Sequence, residues 1–163
     1  MTPQNHALSS ERVHERCFWA QGIAQGLELY GKTVRDLPAD LRQHCKPSDL
    51  SQMHISQSDM NRLWNAAAKL SQDECFGLRM GRHYQSNTLS LLALSAASSE
   101  TLGEAIQRLI RFMPIFSSQV QLYSVEDDQY LTLYFQPRGN PHPLHMEAVM
   151  SQCNKIWEGL GIG

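Results

Sequence analysis

Apolar and polar positions along the chain keep a helical period for two thirds of its length, switch to alternation, then return to the helical period. From Val13 to Leu27, apolar residues recur three and four apart (Val13, Cys17, Ala20, Ala24, Leu27), which gathers them on one helical face. Ser9 or Ser10 stands where that helix would be capped, residues 1–9 read as a flexible tail, and Gly31 reads as the stop. Gly22 and Gly26 either weaken this helix or let something pack close. A short helix is expected over 37–44, with Pro38 near its start and Pro47 in the next connection. Ser56–Asp59 reads S-x-x-D, close to a capping box, and Met60, Leu63, Trp64, Ala67 and Leu70 then form a clear stripe. Residues 74–84 predict a second short helix, with Gly81 fraying it. "TLSLLALSAA" (88–97) is apolar almost all round but too short to span a membrane, so it predicts a central buried helix. Thr101–Glu104 (T-x-x-E) is a full capping-box pattern, in which Glu104 would return a bond to the Thr101 N–H. Leu102, Ala105, Ile106, Leu109, Met113 and Phe116 supply the buried stripe behind it, and Pro114 should kink or end the helix.

The period becomes two at "QVQLYSV" (119–125) and "YLTLYFQ" (130–136), with the acidic turn "EDDQ" between, the signature of a β-hairpin. Val120 and Leu122 share a face with Leu131, Leu133 and Phe135; Tyr123, Tyr130, Thr132 and Tyr134 take the other. Pro143 opens a last helix carrying Met146, Val149, Met150, Cys153, Ile156, Trp157 and Leu160. The class is α+β, mostly helical, with one domain over 10–163. A two-stranded hairpin is marginal alone, so the sheet is expected to be incomplete: a partner chain or a longer polypeptide would supply more strands.

Composition narrows this only slightly. Hydrophobic content of 42% and charged content of 18% place the 163 residues among globular chains. A net charge of −2 with scattered basic residues argues against gripping nucleic acid with this segment. The N-terminus is polar, without a secretory signal pattern, and the widely spaced cysteines form no CxxC pair, so reduced thiols in the cytoplasm are the default expectation.

Candidate chemistry is sparse. "GLRMGRHY" lacks the lysine and hydroxyl of a phosphate loop. His142 and His145 could share one side of a helical turn, but a metal needs three or four ligands, so surface or capping roles are the stronger reading and no metal or cofactor is expected. Glu126, Asp127 and Asp128 sit at a hairpin tip as turn formers. A thiol–imidazole pair of Cys75 or Cys153 with His83 would require the fold to join them; both cysteines lie in apolar helical patterns and read as buried and inert. No catalytic constellation assembles, and an enzyme is not expected.

The segment from "LWNAAAKLSQDECFGLRMG" through "SSETLGEAIQRLIRF" to "YLTLYF" resembles the N-terminal effector domain of AraC-type bacterial transcription regulators, the arabinose-binding-like group. The matching positions are Asp73, Gly77, Leu78, Gly81, Leu91, Leu94, Ser98, Thr101, Leu102, Glu104 and Ala105, and the resemblance extends over roughly residues 15–160. Thr88–Ser90 stand where members often carry a glycine. The resemblance implies a cytoplasmic regulator, of which this is an N-terminal piece that senses a small-molecule effector and forms a homodimer. Further strands and a helix-turn-helix DNA-binding domain would follow in the longer chain. It does not imply that the ligand is arabinose, since members respond to chemically different effectors. The polar candidates for effector contact are Arg82, His83, Tyr84, Arg111 and Tyr134; two arginines would favour a carboxylate. The alternative is an oligomerisation module without a small ligand.

Overall fold

The computed structural model describes residues 14–46 and 54–161. The expected tail, the Ser9/Ser10 cap and Pro47 lie outside them. The chain order is β1 (His14–Arg16), α1 (Phe18–Glu28), two 3₁₀ turns (Val34–Asp36 and Arg42–Cys45), β2 (His54–Ser56), α2 (Gln57–Ser71), α3 (Phe76–His83), α4 (Asn87–Ala97), α5 (Leu102–Phe116), β3 (Val120–Glu126), β4 (Leu131–Pro137) and α6 (Pro143–Gly159). Among the described residues there are two separate two-stranded antiparallel sheets, β1–β2 and β3–β4. The class is α+β, and no described helix is long and apolar enough to cross a membrane.

Several elements start as the pattern requires. The Ser56 hydroxyl accepts from the Asp59 N–H at 3.1 Å and opens α2. The Thr101 hydroxyl accepts from the Glu104 N–H at 3.2 Å and opens α5. The reciprocal arm differs from expectation: the Glu104 carboxylate accepts from the Glu100 N–H at 3.0 Å, one residue before the cap. Pro114 lies in the last turn of α5, which ends at Phe116. The hairpin pairs Leu122 with Phe135 and Ser124 with Leu133, so Val120 and Leu122 face the core with the apolar residues of β4.

Others depart from expectation. Helix α1 begins at Phe18, because residues 14–16 are spent as a strand pairing with residues 54–56. Three-residue strands carry too few positions for alternation to show. The helix expected at 37–44 is replaced by the 3₁₀ turns, of which the first has a reciprocal Thr33–Asp36 capping box. Helix α4 forms as expected but is not buried all round: Leu91 and Leu94 are 67% and 66% exposed. Leu102 is also exposed rather than part of the α5 stripe.

The core centres on Trp19, Trp64, Phe76 and Phe116. The α1 glycines serve close packing: a Cβ on Gly22 would lie 2.9 Å from the Tyr84 ring, and one on Gly26 2.8 Å from Met80 Cγ. Helix α3 sits on α6 in the same way. A Cβ on Gly77 would fall 2.3 Å from the Leu144 carbonyl oxygen, and one on Gly81 2.6 Å from that of Ala148. Gly81 therefore does not fray α3; it lets two backbones meet.

Candidate functional site

A cleft of about 530 Å³ opens between the α3–α4 link, α4 and the C-terminal half of α6. It exists because the facing residues are small: Ser90, Ala93 and Ala97 on α4 and Gly159 on α6. Leu89, Leu94, Ile156 and Leu160 make the rest of its lining apolar, while Tyr84, Gln85, Ser86, Gln152 and Lys155 supply its polar groups. An apolar lining with a few placed polar groups is the usual make-up of a small-molecule site.

The polar groups are held by named bonds. Gln152, buried, donates from Nε2 to the Tyr84 carbonyl at 3.0 Å and ties α6 to the end of α3. Lys155 donates from Nζ to the Arg82 carbonyl at 3.0 Å. The Ser86 hydroxyl accepts from the Leu89 N–H at 3.1 Å and caps α4. Tyr84 is 3% exposed, and burial pushes its phenol well above the usual tyrosine range, against a smaller opposing hydrogen bond from Ser86.

The sequence candidates fall in separate places. Tyr84 lines the cleft. Arg82 and His83 are exposed beside it on the last turn of α3, and the Arg82 guanidinium pairs with Glu158 at 3.2 Å. Arg111 lies on the outer face of α5 with Gly103, Glu104, Gln107 and Arg108. Tyr134 is on the outer face of the hairpin, stacked on Tyr123 with ring centroids 4.9 Å apart. The fold brings Arg82, His83 and Tyr84 together and leaves Arg111 and Tyr134 apart from them. Sequence reasoning passed over Lys155 and Gln152, since a lysine and a glutamine within a helical stripe carry no motif.

A second polar centre is buried deeper. The Glu15 carboxylate, inaccessible to solvent, accepts from Ser117 Oγ at 2.6 Å, from the Arg16 and Ser118 N–H groups at 2.8 and 3.2 Å, and from His145 Nε2 at 3.2 Å. The Trp64 indole N–H donates to His145 Nδ1 at 3.2 Å. An indole can only donate, so Nδ1 carries the lone pair and Nε2 the proton facing Glu15. Burial raises the Glu15 carboxyl, but the His145 and Ser117 bonds and the Arg16 N–H outweigh it and leave it below the usual range. His145 is thus a core residue rather than a surface one, while His142 caps α6 by accepting from the Leu144 N–H at 3.1 Å. Among the described residues, no three His, Cys, Asp or Glu side chains converge as a metal site.

The three buried thiols are unsuited to nucleophilic work. Cys17 lies 3.8 Å from His44 Nδ1, yet burial pushes its thiol up to about 11; burial likewise pushes Cys45 and Cys153 up to about 12. An activated thiol would be shifted the other way. Cys75, expected to be buried, is exposed at the start of α3.

The family model for the N-terminal arabinose-binding domain of the AraC transcription regulator matches residues 42–159. The chain belongs to this family. It is therefore a ligand-binding regulatory domain of an AraC-type transcription regulator, a family that is not typically enzymatic. Neither the curated proteins nor the solved structures yield a match. The family-pattern positions are mainly joints of the fold. Asp73 accepts from the Cys75 N–H at 2.8 Å and pairs with Arg79 Nε at 2.7 Å. The Tyr30 hydroxyl bond first, then the Cys75 N–H, hold its carboxyl below the usual range. Gly77 and Gly81 admit α6, and Thr101 caps α5.

Proposed function

We propose that this domain senses a small-molecule effector in the cleft between α4 and α6, and that its occupancy biases a homodimeric bacterial regulator acting on DNA in the cytoplasm through another domain. The observation that carries the site is the α4–α6 cleft: apolar for most of its length, with polar groups fixed at one end. Its walls come from two helices that touch little directly, and α6 is tied to the end of α3 instead, through the Gln152–Tyr84 and Lys155–Arg82 bonds. A ligand binding one spacing of the walls better than another shifts the population between them, which is what coupling to a second domain requires. Tyr84 contributes to the wall, with Arg82 and His83 at the rim; Arg111 and Tyr134 would serve a different contact.

Thermal-shift screening with sugars, amino acids and carboxylic acids tests this reading against the wild type and Ala93→Trp, which fills the cleft. The expected result is a ligand that raises the wild-type Tm and leaves the variant unmoved. Equal stabilisation of both would place the effector elsewhere.

A second reading, association without a small ligand, has one observation behind it. Leu91 and Leu94 on α4 and Ile115 on α5 are exposed beside an apolar groove of about 370 Å³ lined also by Leu92, Ser95, Phe112 and Phe116. Sedimentation of Leu91→Glu/Leu94→Glu against wild type tests it: loss of a wild-type dimer with no ligand found in the screen would favour this reading.

A further inference from the structure

The cleft is polar at one end and apolar at the other. Lys155, Gln152, Tyr84 and Ser86 meet at the end next to the α3–α4 link, where Lys155 reaches the Arg82 carbonyl and Gln152 that of Tyr84. From Ser86 to Ala97 helix α4 advances about three turns. On α6 the lining runs from Gln152 through Ile156 to Leu160, so on each wall the lining residues farthest along the chain from the α3–α4 link and its bonds, Ala97, Gly159 and Leu160, are apolar.

Charge is equally one-sided. Lys155 is the charged residue among those lining the cleft, and no carboxylate is among them. The nearby acid is already engaged: Glu158 pairs with Arg82 and accepts from Asn154 Nδ2 at 2.9 Å. Lys155 forms no ion pair among the described residues, and its recorded partner is a neutral carbonyl. An ammonium has three donors, so two remain for a ligand. The first turn of α4, carrying the positive end of its dipole, lines the same end through Ser86, Leu89 and Ser90. Both fields favour an anion there, while the lining beyond, from Ala93 to Ala97 and from Ile156 to Leu160, offers no polar side chain.

We propose that the cleft takes an amphipathic carboxylate, with its head on Lys155 and its hydrocarbon body laid between Ala93, Ala97, Ile156 and Leu160. This rests on reading the cleft as the effector site and names the ligand's chemical class. A free sugar, polar all round, would find no polar side chain to bond along the apolar end. A multiply charged phosphate would face a single cation.

Calorimetric titration of the 163-residue chain with octanoate, 1-octanol and octylamine below their micellar concentrations tests the proposal. Octanoate is expected to bind at least tenfold more tightly than the other two. Lys155→Gln, which keeps a donor for the Arg82 carbonyl, should weaken octanoate about tenfold while leaving 1-octanol unchanged; Lys155→Arg should restore most of the loss. Circular dichroism and Tm identify any variant that fails to fold, and the ionic-strength dependence of wild-type binding is then the substitute: octanoate should weaken as salt rises while 1-octanol does not. Equal binding of the three probes, or octanoate binding indifferent to Lys155→Gln, would overturn the anion assignment and leave the cleft standing. Octanoate binding undiminished in Ala93→Trp would overturn the cleft itself.

Discussion

The two halves of α6 meet their neighbours through small residues and reach opposite results. In the N-terminal half, Gly77 and Gly81 of α3 bring backbone against backbone at Leu144 and Ala148, Ser151 donates to the Leu78 carbonyl at 2.9 Å, and His145 is fixed between Glu15 and Trp64. In the C-terminal half, Ala93, Ala97 and Gly159 face each other across an open cleft. A small residue closes a gap only where something else draws the helices together. In the first half that force is the buried aromatic core and its polar centre. In the second half the tethers hold one end, and the small side chains leave space.

The largest test of this contrast is His145→Ala. It strips the Glu15 carboxylate and the Trp64 N–H of their imidazole partner in a site closed to water, and the lost hydrogen bonds together with the cavity left behind should cost about 3–5 kcal/mol. Urea unfolding should show it as a lower midpoint; a loss under about 1 kcal/mol would mean that the polar centre does not lock α6. Next comes the pair Gly77→Ala and Ala93→Leu. The first pushes a methyl onto the Leu144 carbonyl and should cost about 1–3 kcal/mol or more. The second adds a larger side chain to the open cleft and should stay within about 0.5 kcal/mol. Equal costs would erase the distinction between the closed and open halves.

Acid offers a gentler probe of the same lock. Glu15 has a folded pKa below its unfolded value, so it contributes stability that is full above the unfolded pKa. That contribution fades as pH falls below about 4.5 toward the folded value. Unfolding free energy should therefore drop in that window, and Glu15→Gln, less stable at neutral pH, should drop less steeply through it. Parallel pH curves would remove Glu15 as the source. The smallest effect is expected away from α6: Thr101→Ala should cost about 1 kcal/mol through loss of the α5 cap.

How legible all this was from sequence depended on the range over which each feature is determined. The stripes of α2 and α5, the caps at Ser56 and Thr101 and the hairpin register follow from residues within a few positions of one another. The β1–β2 pairing did not, because it joins residues 40 apart through strands of three residues. "TLSLLALSAA" was read correctly as a helix and incorrectly as buried all round: hydrophobicity states what a helix could bury, not how many neighbours arrive to cover it. Of the polar candidates, Tyr84 reached the cleft wall with Arg82 and His83 beside it, whereas Arg111 and Tyr134 sit on other faces.

By itself, then, the sequence determined most of the helical elements, the hairpin and the family, since periodicity, capping and the "SSETLGEAIQRLIRF" pattern are local properties of the chain. Tertiary structure alone decided that Gly77 and Gly81 join two helices, that Glu15 and His145 meet in the core, and that Lys155 lines a mainly apolar cleft with no acid paired to it among the described residues. Each of these depends on residues far apart in sequence whose distance is set by the packing of aromatic side chains. No period or spacing along the chain encodes that distance.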